Sequence, residues 1–196
     1  MQIESITSKL NDKTVDVEYH QRSDGGIVIK DLAIKSLRIS ACGVRLLNVY
    51  NFAYLYKLWI DGDIVLNWIR YLPLLRDLTI TGARITEYQC ELPQLRRLRI
   101  SNTYLTHVDT SRMSQARSID LSSNFIKNAI IGTLPYLHML NIAENNLSTV
   151  DISGLPKLKL LNIGNNNIQT LDVRYNTRLA TIDTSYNKGI NIIRDH

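Results

Sequence analysis

The chain has 196 residues, 44% of them apolar, and a formal net charge of +5 from 23 Lys and Arg against 18 Asp and Glu. That length can bury one continuous core, which sets one domain as the expectation. No run of about 18 apolar residues proposes a membrane span, and the modest charge lacks the dense basic stripe with interleaved aromatics of a single-strand nucleic-acid binder.

The first ten residues, Met1 to Leu10, lack the basic start and apolar core of a secretory signal. The chain as written is therefore expected in the cytoplasm, and an incomplete N-terminus would move that expectation to secretion. Thr14 to Tyr19 and Ile27 to Ile29 are short β-type runs, with His20 to Gly26 as a turn between them. Residues 1–33 are accordingly expected to form a hairpin cap that shields one end of the core.

From residue 34 the chain repeats. A first aliphatic position recurs at Ile34, Leu55, Leu75, Leu95, Ala116, Leu137, Leu158 and Leu179, in steps of 20 or 21 residues. Each unit reads Leu-x-x-Leu-x-Leu/Ile-x-x-Asn-x-Leu/Ile, most plainly from Leu134 to Val150 and again from Leu155 to Leu171. All four prolines, Pro73, Pro93, Pro135 and Pro156, stand two residues before the aliphatic position. There a fixed φ helps and no sheet amide is lost. The expected fold over 34–196 is α/β in class and β-rich: a right-handed solenoid of about eight repeats, with a parallel concave sheet. The ten or so remaining residues per repeat are too few for a full helix, so the convex side is expected to be mostly irregular.

Within each strand the two flanking aliphatics, such as Leu140 and Ile142, face the core, and the residues between and beside them face out. A position beyond each strand reads Cys42, Asp63, Ala83, Thr103, Asn124, Asn145, Asn166 and Asn187. Buried asparagines at the last four can bond the backbone of two neighbouring turns, so Asn124, Asn145, Asn166 and Asn187 are expected to be a structural ladder. The outward positions form two columns. In them Arg38, Lys57, Trp59, Asp77, Thr79, Arg97, Arg99, Asp120, Met139 and Asn141 are the candidate protein-binding residues. Trp59 with Lys57, Arg97 and Arg99 is the strongest group, because tryptophan and arginine are the usual interface anchors.

These units resemble the leucine-rich repeat superfamily over roughly residues 34 to 190. The resemblance implies a curved solenoid that recognises another protein through its concave face. The Thr-His-Val-Asp109 and Thr-Val-Asp151 repeat ends resemble arthropod immune members of the superfamily, which implies a role in innate immunity or defence. The alternatives are an intracellular scaffold or effector whose activity lies in a further C-terminal domain, and a binder of nucleic acid or an anionic surface through Arg96, Arg97 and Arg99.

Nothing in the sequence points to catalysis, a cofactor or a metal. His20, His107, His138 and His196 are scattered, and His107, Asp109 and Ser111 on one short segment do not set a nucleophile, base and orienter against each other. Cys42 and Cys90 fall about two repeats apart, near 10 Å, beyond disulfide reach. Both are expected to be buried thiols. After the eighth repeat the sequence shows no polar or cysteine-rich cap, so the C-terminal edge is expected to join a further domain or a second copy.

Overall fold

The computed structural model describes residues 14–19, 27–29, 34–41, 44–50, 52–70, 72–88 and 92–195; at 14–19, 27–29, 41, 44–50 and 66–70 it describes the backbone. Cys42 and Cys90 lie outside the described residues. Four turns of chain start at a Leu-Pro pair. The amide of Leu75 donates to the carbonyl of Leu72 at 3.1 Å, and Leu95 to Leu92 at 3.0 Å, so the proline sits at the second position of a β-turn, where its fixed φ is wanted. A strand begins directly after it.

The strands stack into one nine-stranded parallel sheet: Thr14–Tyr19, Ser36–Ala41, Lys57–Asp61, Asp77–Thr81, Arg97–Ser101, Ser118–Asp120, Met139–Asn141, Leu160–Asn162 and Thr181–Asp183. No helix occurs among the described residues; the fold is a parallel β-solenoid. Among the described residues the return side carries three short parallel ladders, one of them joining Ile27–Ile29, Val44–Tyr50 and Ile64–Arg70. The two runs expected to pair as a hairpin do not pair with each other. Thr14–Tyr19 runs parallel to Ser36–Ala41 and Ile27–Ile29 runs parallel to Val44–Tyr50. They repeat the path of a solenoid turn, because β-type runs on the two sides of a coil meet the next turn before they meet one another. The turn expected over His20 to Gly26 lies outside the described residues.

Inside the coil, Leu37, Leu58, Leu78, Leu98, Ile119, Leu140 and Leu161 make one buried file, and Ile39, Ile60, Ile80, Ile100, Leu121, Ile142 and Ile163 make the next. Each such side chain contributes about 1.5–3 kcal/mol of burial. Every turn thus stabilises its neighbour and little else.

After each strand the chain must bend sharply inward. The residue before the ladder position takes a positive φ at Gly62, Gly82, Asn102, Ser123, Glu144, Asn165 and Tyr186. Glycine fills the first two, where it costs nothing. The next residue is buried from Ala83 onward, at Thr103, Asn124, Asn145, Asn166 and Asn187, while Asp63 stays partly exposed. Asn166 donates from Nδ2 to the carbonyls of Ile142 and Ile163, both at 3.0 Å, and accepts the Leu147 amide at 3.0 Å. Asn145 does the same with Leu121, Ile142 and the Ile126 amide, and Asn187 with Ile163, Thr184 and the Ile168 amide. Asn124 begins the series against Ile100 and Leu121, with the Thr103 amide at 3.1 Å. Successive asparagines share carbonyls, so the ladder is continuous across four turns.

Asn166→Ala leaves the buried Leu147 amide without its acceptor and opens a small void. Urea unfolding is expected to show a loss of about 2–3 kcal/mol. Tyr186→Gly relieves a non-glycine residue from φ 61 and is expected to raise stability by about 1 kcal/mol in the same assay; an unchanged midpoint would mean that the turn already accommodates its Cβ without strain.

Candidate protein-binding face

The strand register places the outward residues in two straight columns. Ser36, Lys57, Asp77, Arg97, Ser118 and Met139 stand side by side, and so do Arg38, Trp59, Thr79, Arg99, Asp120 and Asn141. Alternation with the buried file between them aims both columns out of the sheet.

Trp59 is the centre of the first half. It lies mid-strand, yet 50% of it is exposed, and the guanidinium of Arg38 sits over its ring at 5.2 Å. That cation–π contact engages the indole and still leaves half of it open. Lys57, also exposed, stands two residues before it on the same strand. Thr79 is half-buried between Trp59 and Arg99. Arg97 Nη1 lies 3.4 Å from both carboxylate oxygens of Asp77, with 72% of the arginine side chain exposed. Such an open pair contributes under about 1 kcal/mol and leaves the guanidinium available. Arg99 donates from Nε to Ser101 Oγ at 3.2 Å and lies 3.5 Å from Asp120 Oδ2. Arg96 stands one residue ahead of its strand, half-buried at the edge of the face.

The second half is built differently. Asp120 Oδ1 accepts the Ser122 amide at 3.1 Å, the Ser122 hydroxyl at 2.7 Å and Asn141 Nδ2 at 3.1 Å. Asn141, Asn162 and Asp183 accept the amides of Ala143, Gly164 and Ser185 at 3.2, 3.0 and 2.9 Å. These are Asx turns, in which a side-chain oxygen takes the amide two residues on and bends the chain. They end their strands after three residues, whereas Lys57–Asp61, Asp77–Thr81 and Arg97–Ser101 run for five. Asp120 and Asn141 therefore have turn-forming work, and Met139 is half-buried beside the exposed Leu160. The free chemistry of the face is concentrated in the first half.

The motif Asp-x-Ser could have revealed these turns in the sequence. It recurs at Asp109-x-Ser111 and Asp151-x-Ser153, whose carboxylates accept the serine amides at 2.9 Å. His107 meets Thr106 and Asn128, while Asp109 is held by Ser111. A further residue also escaped sequence reading. Asn176 is buried where other repeats place the leucine of the Leu-Pro pair, and it donates to the carbonyls of Ile152 and Leu155.

No family model matches the chain, and no curated protein matches it. Among solved structures it is similar to the functional domain of InlJ from Listeria monocytogenes, described as including a cysteine ladder, with a TM-score of 0.53 and 16% identity over 92% of this chain and 55% of that one. It is also similar to the APL1 leucine-rich repeat domain, with a TM-score of 0.52 and 16% identity over 82% of this chain and 51% of that one. The chain thus spans about half the length of each of these structures. Together with the repeat, the ladder and the parallel sheet, they establish the fold as that of the leucine-rich repeat proteins.

The Asx turns carry a pH signature. Hydrogen bonds from the Ser185 hydroxyl and amide hold the Asp183 carboxyl below the usual range, and Ser153 does the same to Asp151. A depressed native pKa gives stability that is present above the unfolded value of about 3.9 and is lost as pH falls through the native value. Asp151→Asn with Asp183→Asn preserves the acceptor, as Asn141 and Asn162 show. The double variant is expected to have a slightly lower urea midpoint at pH 7, because the neutral amide is the weaker acceptor, and to lose less than the parent between pH 7 and pH 3.

Proposed function

We propose that the chain is a non-enzymatic protein-recognition module whose partner docks on the concave face of the first half of the long sheet. The observation that carries this reading is Trp59: a half-exposed indole at mid-strand, with Arg38 over its ring, Lys57 on its own strand, and Arg97 and Arg99 two strands away on the same face. An exposed aromatic with arginines on one face is the composition of an interaction hot spot. The partner fitted to it offers an apolar pocket or flat side chain for the indole and carboxylates for the cations. Stretched charged columns also keep a sheet soluble, but solubility gives no reason for an open tryptophan.

The defence-related reading draws on the repeat ends at Asp109 and Asp151. Those aspartates form turns, a scaffold task, so the proposal stops at recognition of a protein partner.

The test compares the intact chain with a Trp59→Ala, Arg97→Glu, Arg99→Glu variant as bait in the native source. All three side chains are outside the core, so the variant is expected to keep a cooperative urea transition, at a somewhat lower midpoint because Asp77 and Asp120 lose their arginines. A specific partner that binds the parent directly after purification, and is weakened by about 100-fold or more in the variant, is the expected outcome. Equal binding to both baits would move the site away from this face.

A further inference from the structure

One row of residues is absorbed neither by the core nor by the proposed face. It lies immediately before the strands, where a continuous backbone ladder fixes it: Tyr56 donates to the Lys35 carbonyl at 2.8 Å, Arg76 to Tyr56 at 2.9 Å, Arg96 to Arg76 at 2.8 Å and Arg117 to Arg96 at 2.8 Å. His138 and Lys159 extend it by two steps of 2.9 Å. Of seven consecutive rungs, five are Lys or Arg, one is His and one is Tyr; none is acidic. Six steps of ~4.8 Å make this row about 29 Å long.

The row is electrostatically open. Lys35, Arg76, Arg117 and Lys159 are exposed and Arg96 is half-buried. Among the described residues none of the five lies in an ion pair. Acidic side chains gather instead at the far ends of the strands, where Asp63 holds Arg84 and Glu144 accepts Ser123. The small net charge therefore conceals a separation: a basic edge where the strands begin and a more acidic one where they end. Sequence spacing alone does not reveal the row, because its cations are some twenty residues apart in the chain and collinear only in the coil.

We infer that this edge binds a linear sulfated polysaccharide lying along the row. Cations at one height, three of them on consecutive turns at Arg76, Arg96 and Arg117 with Lys35 and Lys159 two turns beyond on either side, match a polymer with repeated anionic groups, and arginine's planar fork binds tetrahedral oxyanions by paired hydrogen bonds. The flanking row supports a sugar backbone. Gln94 and Gln115, both exposed, stand two residues before Arg96 and Arg117 and offer neutral hydrogen bonds to hydroxyls. Tyr54 and Tyr136 hold the same position four repeats apart, about 19 Å, and Lys157 already lies 4.7 Å over the Tyr136 ring. Rings so far apart cannot stack successive bases, which disfavours single-stranded nucleic acid. The inference rests on this row and not on the proposed protein-binding face.

The full chain is titrated with labelled heparin oligosaccharide, single-stranded DNA and polyglutamate over a salt series. The heparin fragment is expected to bind most tightly. An Arg76→Gln, Arg96→Gln, Arg117→Gln variant is expected to weaken it by roughly tenfold or more and to lower the log Kd against log salt slope by about 2–3. An Arg84→Gln, Arg112→Gln, Arg174→Gln variant removes the same formal charge elsewhere and is expected to bind like the parent; equal unfolding midpoints confirm that all three proteins fold alike. Equal losses in the two variants would reduce the effect to net charge and overturn the site. So would tighter binding of DNA or polyglutamate than of heparin, or no binding of heparin by the parent.

Discussion

In a coil of about 21 residues per turn, the sharp bend after each strand buries backbone groups that its own turn cannot satisfy. The rest of this structure depends on how those groups find partners. From Asn124 onward one amide side chain per turn supplies them, donating to a carbonyl of its own turn and one of the turn before, and accepting an amide across the gap. Ile142 O accepts from both Asn145 and Asn166, and Ile163 O from both Asn166 and Asn187. A shared acceptor couples neighbours, so the four turns behave as one network whose members cannot be energetically independent. The apolar files supply most of the driving force. The ladder fixes the pitch at which they stack.

The first half meets the same constraint without asparagine, and its outward face differs accordingly. Ala83 occupies the ladder position with no polar group to offer, and Asp63 there reaches outward to Arg84. The five-residue strands of this half pair more backbone within the sheet itself, which compensates for missing side-chain partners. Their central outward positions are thereby released from turn formation. Where the second half needs Asp or Asn to bend the chain, the first half can place Arg38, Trp59, Thr79 and Arg99. Chemical variety on the face arises where the backbone is satisfied by strand pairing alone.

This division also explains what was legible in the sequence. The repeat, the apolar files and the outward columns come from spacing, since a period of 20 or 21 residues with alternating burial admits one register. Lone periodicity is silent about turns made by side chains. The Asp120, Asn141, Asn162 and Asp183 column reads as polar surface until the amides two residues on are seen to be its partners. The runs at Thr14–Tyr19 and Ile27–Ile29 look like a hairpin because proximity in sequence favours local pairing, whereas in a solenoid the nearest edge belongs to the next turn. Asn176 was hidden for a related reason: its buried neighbours are the carbonyls of Ile152 and Leu155, 24 and 21 residues earlier.

The same pitch that satisfies the backbone makes charge additive in one direction. Residues at matching positions are brought to one line, about 4.8 Å apart, well inside a Debye length of ~8 Å at physiological salt. Cations so close, with no ion pair among the described residues at Arg76, Arg96 or Arg117, raise one another's local potential, and a ligand extended along the solenoid can neutralise several at once. Across the strand, Arg97 is partly balanced by Asp77, and Arg99 by Asp120, so the face presents mixed charge around a single aromatic. A compact protein surface suits that arrangement, and the uncompensated line at the edge suits a polymer. The two surfaces meet at the strand entry, where Arg96 belongs to the line and Arg97 to the face.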